Sequence, residues 1–211
     1  MFFSIIINTH NQHEKIRRCL KSCLNQNFKK EYEIIVIDTS DIKIDNKLIL
    51  SNKIRYYHFN RFSKYPEVNQ LRKIYEGYKK AKGKWFCLMD GDDFFKKNKL
   101  KNIYKKKILN EKILFQDNCI IYKENEKKKY KYKYKAYKQF VIYKKIINLW
   151  PEIYGTSSLS GNMNILKSFF KDVSLKKWNF LAIDALLTLY CLNKYKIFLN
   201  NDVLTIKSAG N

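Results

Sequence analysis

The first ninety residues alternate short apolar runs with stretches whose apolar residues recur at helical spacing, and few folds accept that alternation. Ser4 to Asn8, Glu33 to Asp38, Ile54 to Phe59 and Lys84 to Asp90 read as four buried strands. Between them, Ile16, Cys19, Leu20, Cys23 and Leu24 fall on one helical face, and Leu71 to Ala81 reads as a helix presenting Leu71, Ile74, Tyr75 and Tyr78. Strands separated by helices require right-handed crossovers, so the chain is expected to be α/β with a mostly parallel central sheet flanked by helices. Ligands of such sheets bind beyond the carboxyl ends of the strands, where Asn8, Thr9, Asp38 and Asp90 fall.

The second half is less regular. Leu100 to Leu109 reads as a basic helix and Asn118 to Tyr122 as a short strand. Residues 127 to 138 alternate Lys and Tyr with period 2, which fits a solvated edge strand guarded by lysines or an aromatic strip that binds something. A loop of small polar residues, Gly155 to Gly161, follows Pro151. An amphipathic helix is expected over Asn179 to Asn193, with Leu181, Ala185, Leu189 and Leu192 inward. Asp184 sits inside that apolar stretch, where a carboxylate is costly unless it is partnered or functional. Neither an internal repeat nor a linker divides the chain, so residues 1–211 are expected to form one domain.

Hydrophobic residues make up 45% of the chain and Gly plus Pro only 8 positions, which excludes disordered and collagen-like classes. A net charge of +24 invites a nucleic-acid partner, yet only five of the 43 basic residues are Arg, the residue suited to base-edge and bidentate phosphate recognition. No specific nucleic-acid partner is therefore expected. Five cysteines without paired spacing argue for a reducing compartment, with Cys19 and Cys23 as core residues. The opening MFFSIII lacks a basic leader and is too short to span a bilayer, so a cytoplasmic protein is expected.

The richest chemistry is Asp90-Gly91-Asp92-Asp93, directly after the strand WFCLM. Three carboxylates in four residues repel one another unless a cation neutralises them. Hard oxygen donors suit Mg²⁺ or Mn²⁺, which keep water positions open for the oxygens of a diphosphate. Gly91 is expected to let the backbone turn sharply between the ligands.

These segments resemble the family 2 glycosyltransferases of the GT-A fold. SIIINTHNQ resembles that family's opening strand and Pro-Thr-Tyr-Asn signature, CLKSCLNQNFKKEYEIIVIDTSD its first helix and second strand, and GYKKAKGKWFCLMDGDD its Ala-x-Gly lead into the Asp-x-Asp strand. Further on, the Thr-Ser-x-x-Ser loop and WNFLAIDALL continue the likeness. The resemblance implies inverting, metal-assisted sugar transfer from a nucleotide sugar, a UDP-sugar above all, to a hydroxyl of a surface glycan or lipid-linked acceptor. Residues 1–100 would then bind the donor and 101–211 face the acceptor. Thr9, Asn11, Asp38, Arg72, Asp90 and Gly91 would line the donor site, with Asp38 on uracil or ribose. Asp90 and Asp92 would hold the metal, and Asp184 would be the catalytic base, a role suited to a carboxylate whose pKa burial raises. Thr156, Ser157, Ser160 and Trp178 would lie on the acceptor side. The chain departs from the family with Asn8 in place of Pro, His10 in place of Tyr, and Thr39 and Ile183 where acids are usual.

A cationic surface would also suit peripheral contact with an anionic inner membrane. The rival readings are a basic nucleic-acid-binding protein, a metal-dependent nucleotidyltransferase or nuclease, and a catalytically impaired relative kept as a binding module. No P-loop and no dinucleotide fingerprint is present.

Overall fold

A computed structural model describes residues 1–45, 47–106, 111–123, 128–131, 155–174 and 181–209. Four parallel strands form one half of the sheet: β1 (Phe3–Thr9), β2 (Tyr32–Asp38), β3 (Ile54–His58) and β4 (Trp85–Asp90), in the order β3-β2-β1-β4. β1 and β2 are buried along their whole length, which is why they read as unbroken apolar runs rather than alternating ones. Parallel register sets Asn8 beside both Ile37 and Asp90, and Thr9 beside Asp38, so the polar strand ends lie in one row.

The helices cover both faces. α1 (Ile16–Leu24) packs Cys19, Leu20 and Cys23 against Ile5, Ile7 and Trp85, the core role expected for those thiols. α2 (Pro66–Lys80) lies on the other face. It begins five residues before the start read from periodicity, because Pro66 at its first position needs no hydrogen-bond partner and is already set to the helical φ. α3 (Lys99–Lys105) coincides with the first part of the basic helix expected from Leu100.

Beyond β4 the sheet becomes mixed. β8 (Leu159–Asn162) runs antiparallel between β4 and β6 (Ile113–Lys123), and β9 (Lys196–Ala209) lies parallel to β6 and carries the short β5 (Phe94–Phe95) on its other side. β7 (Lys128–Lys131) pairs antiparallel with the end of β6; it is the described part of the Lys/Tyr segment, and its backbone pairing agrees with a hairpin arm. The remainder of that segment and Trp178 lie outside the described residues.

Four later elements differ from the sequence reading. β6 is eleven residues long, not five, and register shifts beside Asn118 break its pattern. β9 was not anticipated, because Asn200-Asn201-Asp202 in its middle mimics a turn. α4 (Met163–Asp172) was missed, and α5 (Ile183–Lys194) buries Ile183, Ala185, Leu186, Leu187 and Cys191 while Leu181, Leu189 and Leu192 are only partly covered. α5 is apolar nearly all round, so spacing alone does not select its inner face. Among the described residues, no helix is long and apolar enough to cross a membrane.

Candidate active site

A cleft of about 360 Å³ opens at the carboxyl ends of β1 and β4, lined among others by Asn8, Thr9, Gln70, Lys73, Asp90 and Asp92. Asp90 is held from three directions. Asn8 Nδ2 and Gln70 Nε2 each donate to Asp90 Oδ1 at 2.8 Å, and Asp90 N donates to Ser157 Oγ at 2.9 Å. Gly91 follows with its N–H on the Asn8 carbonyl at 2.9 Å. The reason for glycine there is space, not a special φ: a Cβ would lie 2.5 Å from Thr9 Oγ1, and Gly91 is not among the residues of positive φ.

The acidic turn is electrostatically loaded. Burial and then Asp90 raise the Asp92 pKa. Burial, with Asp90 and Asp92 adding to it, pushes Asp93 up to about 7. Asp93 points inward, where its Oδ1 accepts from Ser208 N at 2.8 Å, leaving Asp90 and Asp92 on the cleft. Two hard carboxylates on one cleft fit Mg²⁺ or Mn²⁺, which characteristically take one or two protein carboxylates and fill the remaining positions with water and substrate phosphate. Among the described residues, no group of three or more His, Cys, Asp or Glu is placed to hold a metal ion by itself.

Asp184 stands in the first turn of α5, just beyond Ala182 on the cleft wall. Its Oδ1 accepts from Ala185 N at 2.8 Å, and burial followed by the charge of Asp90 raises its pKa against that bond. A carboxyl whose pKa is raised in this way is a better proton acceptor than a free one.

Several anticipated donor residues are engaged within the protein. Asp38 is fully buried: Oδ1 accepts from Ser40 N and Ser40 Oγ, and Oδ2 accepts from Tyr56 OH at 2.6 Å. It reaches a base only if Tyr56 or Ser40 yields. Asn11, in a left-handed conformation at φ 53°, clasps Asp41 through both its amide atoms. Arg72 does not line the cleft; Gln70 and Lys73, on the neighbouring face of α2, do. Of the residues expected on the acceptor side, Thr156 accepts from Gln70 and Ser157 from Asp90 N, while Ser157 and Ser160 are fully buried. The Thr156 and Ser157 hydroxyls brace the acidic strand end from behind; that of Ser160 does not reach it.

Lys73 was missed. Its ammonium donates to the Thr9 carbonyl at 3.0 Å, and burial lowers its pKa to about 8 although Asp90 and Asp38 oppose the shift. The i, i+3 spacing of Gln70 and Lys73 is the signal that would have found it once α2 was phased correctly. Behind Ser157 lies a second network: Lys99, fully buried, bonds Asp117 Oδ1 at 2.7 Å, the Ser157 carbonyl at 2.8 Å and Thr205 Oγ1 at 2.8 Å.

The glycosyl transferase family 2 model matches residues 4–171, a span that contains the acidic strand end and most of its supports. The chain belongs to that family. Among its relatives, it is 32% identical over 108 residues to a dolichyl N-acetyl-α-D-glucosaminyl phosphate 3-β-D-2,3-diacetamido-2,3-dideoxy-β-D-glucuronosyltransferase of Methanococcus voltae, which covers 48% of this chain and 32% of the relative. It is 31% identical over 104 residues to the poly(ribitol-phosphate) β-N-acetylglucosaminyltransferase TarP of Staphylococcus aureus, covering 48% and 31%. The chain thus matches about a third of the length of these relatives. The crystal structure of S. aureus TarS 1–349 in complex with UDP superimposes with a TM-score of 0.70 at 18% identity, over 100% of this chain and 61% of that one. The UDP-GlcNAc complex of TarS 1–349 gives 0.70 at 20% identity, over 100% and 59%. The family 2 chain therefore has the GT-A fold that its motifs implied.

Proposed function

We propose that this protein is an inverting glycosyltransferase that takes a sugar from a nucleotide sugar, UDP-linked, and places it on a hydroxyl of a surface glycan or lipid-linked acceptor. The observation that carries the proposal is that Asp90, Asp92 and Lys73 share one strand-end cleft, with Asp184 beside its Ala182 wall, in a family 2 chain. The UDP-bound and UDP-GlcNAc-bound states of TarS support the donor class, and the glycan and lipid-phosphate acceptors named for the relatives support the acceptor class.

In this mechanism the acceptor oxygen bonds to the anomeric carbon from the face opposite the leaving group, and its proton passes to an Asp184 carboxylate oxygen. The bond from that carbon to the diphosphate breaks in the same displacement, so configuration inverts and nucleoside diphosphate departs with the electron pair. Lys73 brings positive charge to the cleft in which the diphosphate charge develops. Asn8, Gln70 and Ser157 hold Asp90 still, so orientation is set before the donor arrives. Asp90 and Asp92 would hold Mg²⁺ or Mn²⁺, which when bound neutralises charge on the leaving diphosphate.

The test is release of nucleoside diphosphate from a panel of UDP-sugars, with poly(ribitol phosphate) and lipid-linked sugars as acceptors. Turnover by the wild type, abolished in Asp184→Asn with donor binding retained, is the expected result. Turnover unaffected by Asp184→Asn refutes the base assignment. The net charge of +24 supports peripheral association with an anionic membrane, which sedimentation with anionic but not neutral liposomes would bear out.

A further inference from the structure

The end of β9 closes over the acidic turn. Ser208 N donates to Asp93 Oδ1 at 2.8 Å, and Ser208 Oγ donates to the Asp92 carbonyl at 2.7 Å. Arg18 Nη2 reaches the same two groups, at 2.7 Å from Ser208 Oγ and 3.2 Å from the Asp92 carbonyl. These bonds pin residue 208 and so fix the root of the Lys207 side chain beside it. That side chain runs into the space left open by Gly155, whose φ of +79° favours glycine. A Cβ on Gly155 would fall 2.2 Å from Lys207 Nζ, 3.3 Å from Lys207 Cε and 3.4 Å from Asp184 Oδ2. Ammonium and carboxylate therefore flank one absent methyl group.

The cation is stable where it sits. Burial lowers the Lys207 pKa, but Asp93 and Asp90, followed by Cys119 and Asp184, outweigh it and leave the pKa above its ordinary value. Lys207 also lies outside residues 4–171, the span matched by the family model. Its placement is a property of this chain's own last strand.

We propose that Lys207 is a positioning residue for Asp184. Its ammonium, threaded past Gly155 without an ion pair to Asp184, acts by its charge on the carboxylate and biases it toward the orientation that receives the acceptor proton. This rests on the reading of Asp184 as the base. Lys207 keeps its own proton throughout: the acceptor proton goes to Asp184, and the ammonium orients the charge that the proton neutralises.

The experiment is Lys207→Cys, assayed before and after alkylation with 2-bromoethylamine, which restores an ammonium on a side chain of nearly the same length. The five native cysteines are all buried, so the new thiol is the one that reacts. With the UDP-sugar on which the wild type is fastest, kcat is expected to fall about tenfold or more, in line with the cost of a misplaced catalytic group. Donor KM is expected to stay within about threefold, because uniform binding is not what is lost. Alkylation is expected to return at least about half of the lost kcat. Lys207→Met, neutral and of similar length, serves as the second variant if the thiol form melts early. A kcat within about twofold of wild type in either folded variant overturns the proposal, as does a donor KM that rises in step with the loss, or a folded alkylated protein that stays inactive. Asp184→Asn separates the two levels: if it leaves turnover intact, the base assignment fails, and if it abolishes turnover while Lys207→Cys does not alter it, only the role of Lys207 fails.

Discussion

Asn8 and Asp90 stand opposite each other in parallel register on β1 and β4, and the Asn8 amide donates to Asp90 Oδ1 at 2.8 Å and to the Met89 carbonyl at 3.0 Å. One side chain thus fixes both the acid and the strand that delivers it. The position is one where the family signature has Pro, which has no side-chain donor. In Asn8→Ala, Asp90 keeps Gln70 as a donor but loses one charge-assisted bond. Such bonds contribute about 1.5–3 kcal/mol. UDP affinity measured by calorimetry is expected to drop about tenfold, whereas unchanged affinity would mean that Gln70 alone suffices.

In the proposed donor site, Lys73 is expected to make UDP binding sensitive to pH. Burial brings its pKa down to about 8, so it is charged below that value and neutral above it. UDP affinity is expected to weaken as pH rises from 7 to 9, and in Lys73→Met to be weaker throughout and flat over that range. A pH profile identical in both proteins would remove Lys73 from the donor site.

Asp93 ties stability to pH in the opposite sense from an ion-paired acid. Burial, Asp90 and Asp92 raise its folded pKa to about 7 from 3.8, so the fold binds a proton that the unfolded chain releases. That stabilisation is complete below about pH 3.8 and disappears as pH climbs through 7. In EDTA, Asp93→Asn is expected to raise Tm at pH 8 by roughly 3 °C, since about 1 kcal/mol moves Tm by 2–4 °C at this size, with a smaller gain at pH 5 and little effect below about pH 3.8. The amide oxygen can still accept from Ser208 N, so a loss of stability at pH 8 would contradict this account.

The Lys99–Asp117 pair has no exposure on either side chain. Lys99→Met alone strands a buried carboxylate and is expected to cost about 3–5 kcal/mol in denaturant unfolding. Lys99→Met with Asp117→Leu removes both charges and is expected to recover most of that loss. Because Lys99 also bonds the Ser157 carbonyl, and Ser157 Oγ accepts from Asp90 N, the double variant is expected to bind UDP less tightly even when stable.

The parallel half of the fold was legible because β1, β2 and β4 are largely apolar runs and its helices amphipathic, two patterns that do not mimic each other. Asp90 and Asp92 stood out in the sequence because neighbouring acids at a strand end repel one another, and Asp184 because it interrupts an apolar run at a cost. The mixed half was not. β9 carries Asn200-Asn201-Asp202 in mid-strand, and α5 is apolar nearly all round, so neither announces its partner. The residues brought to the site by long-range packing, Lys73, Ser208 and Lys207, sit among 43 basic and many polar positions of the same kind. Local pattern does not distinguish them. Asp38 shows the converse: its strand-end position was correctly placed, but Tyr56, eighteen residues on, claims its carboxylate.

The most direct measurement is calorimetric titration of UDP into the wild type and into Asp92→Ala, each in Mn²⁺ and then in EDTA. Binding is expected to require the metal and to vanish in Asp92→Ala, with Tm unchanged or raised because a partly buried, raised-pKa carboxylate has been removed. Binding of equal strength in EDTA and in Asp92→Ala would contradict it, and no binding of UDP under any condition would contradict the donor class itself.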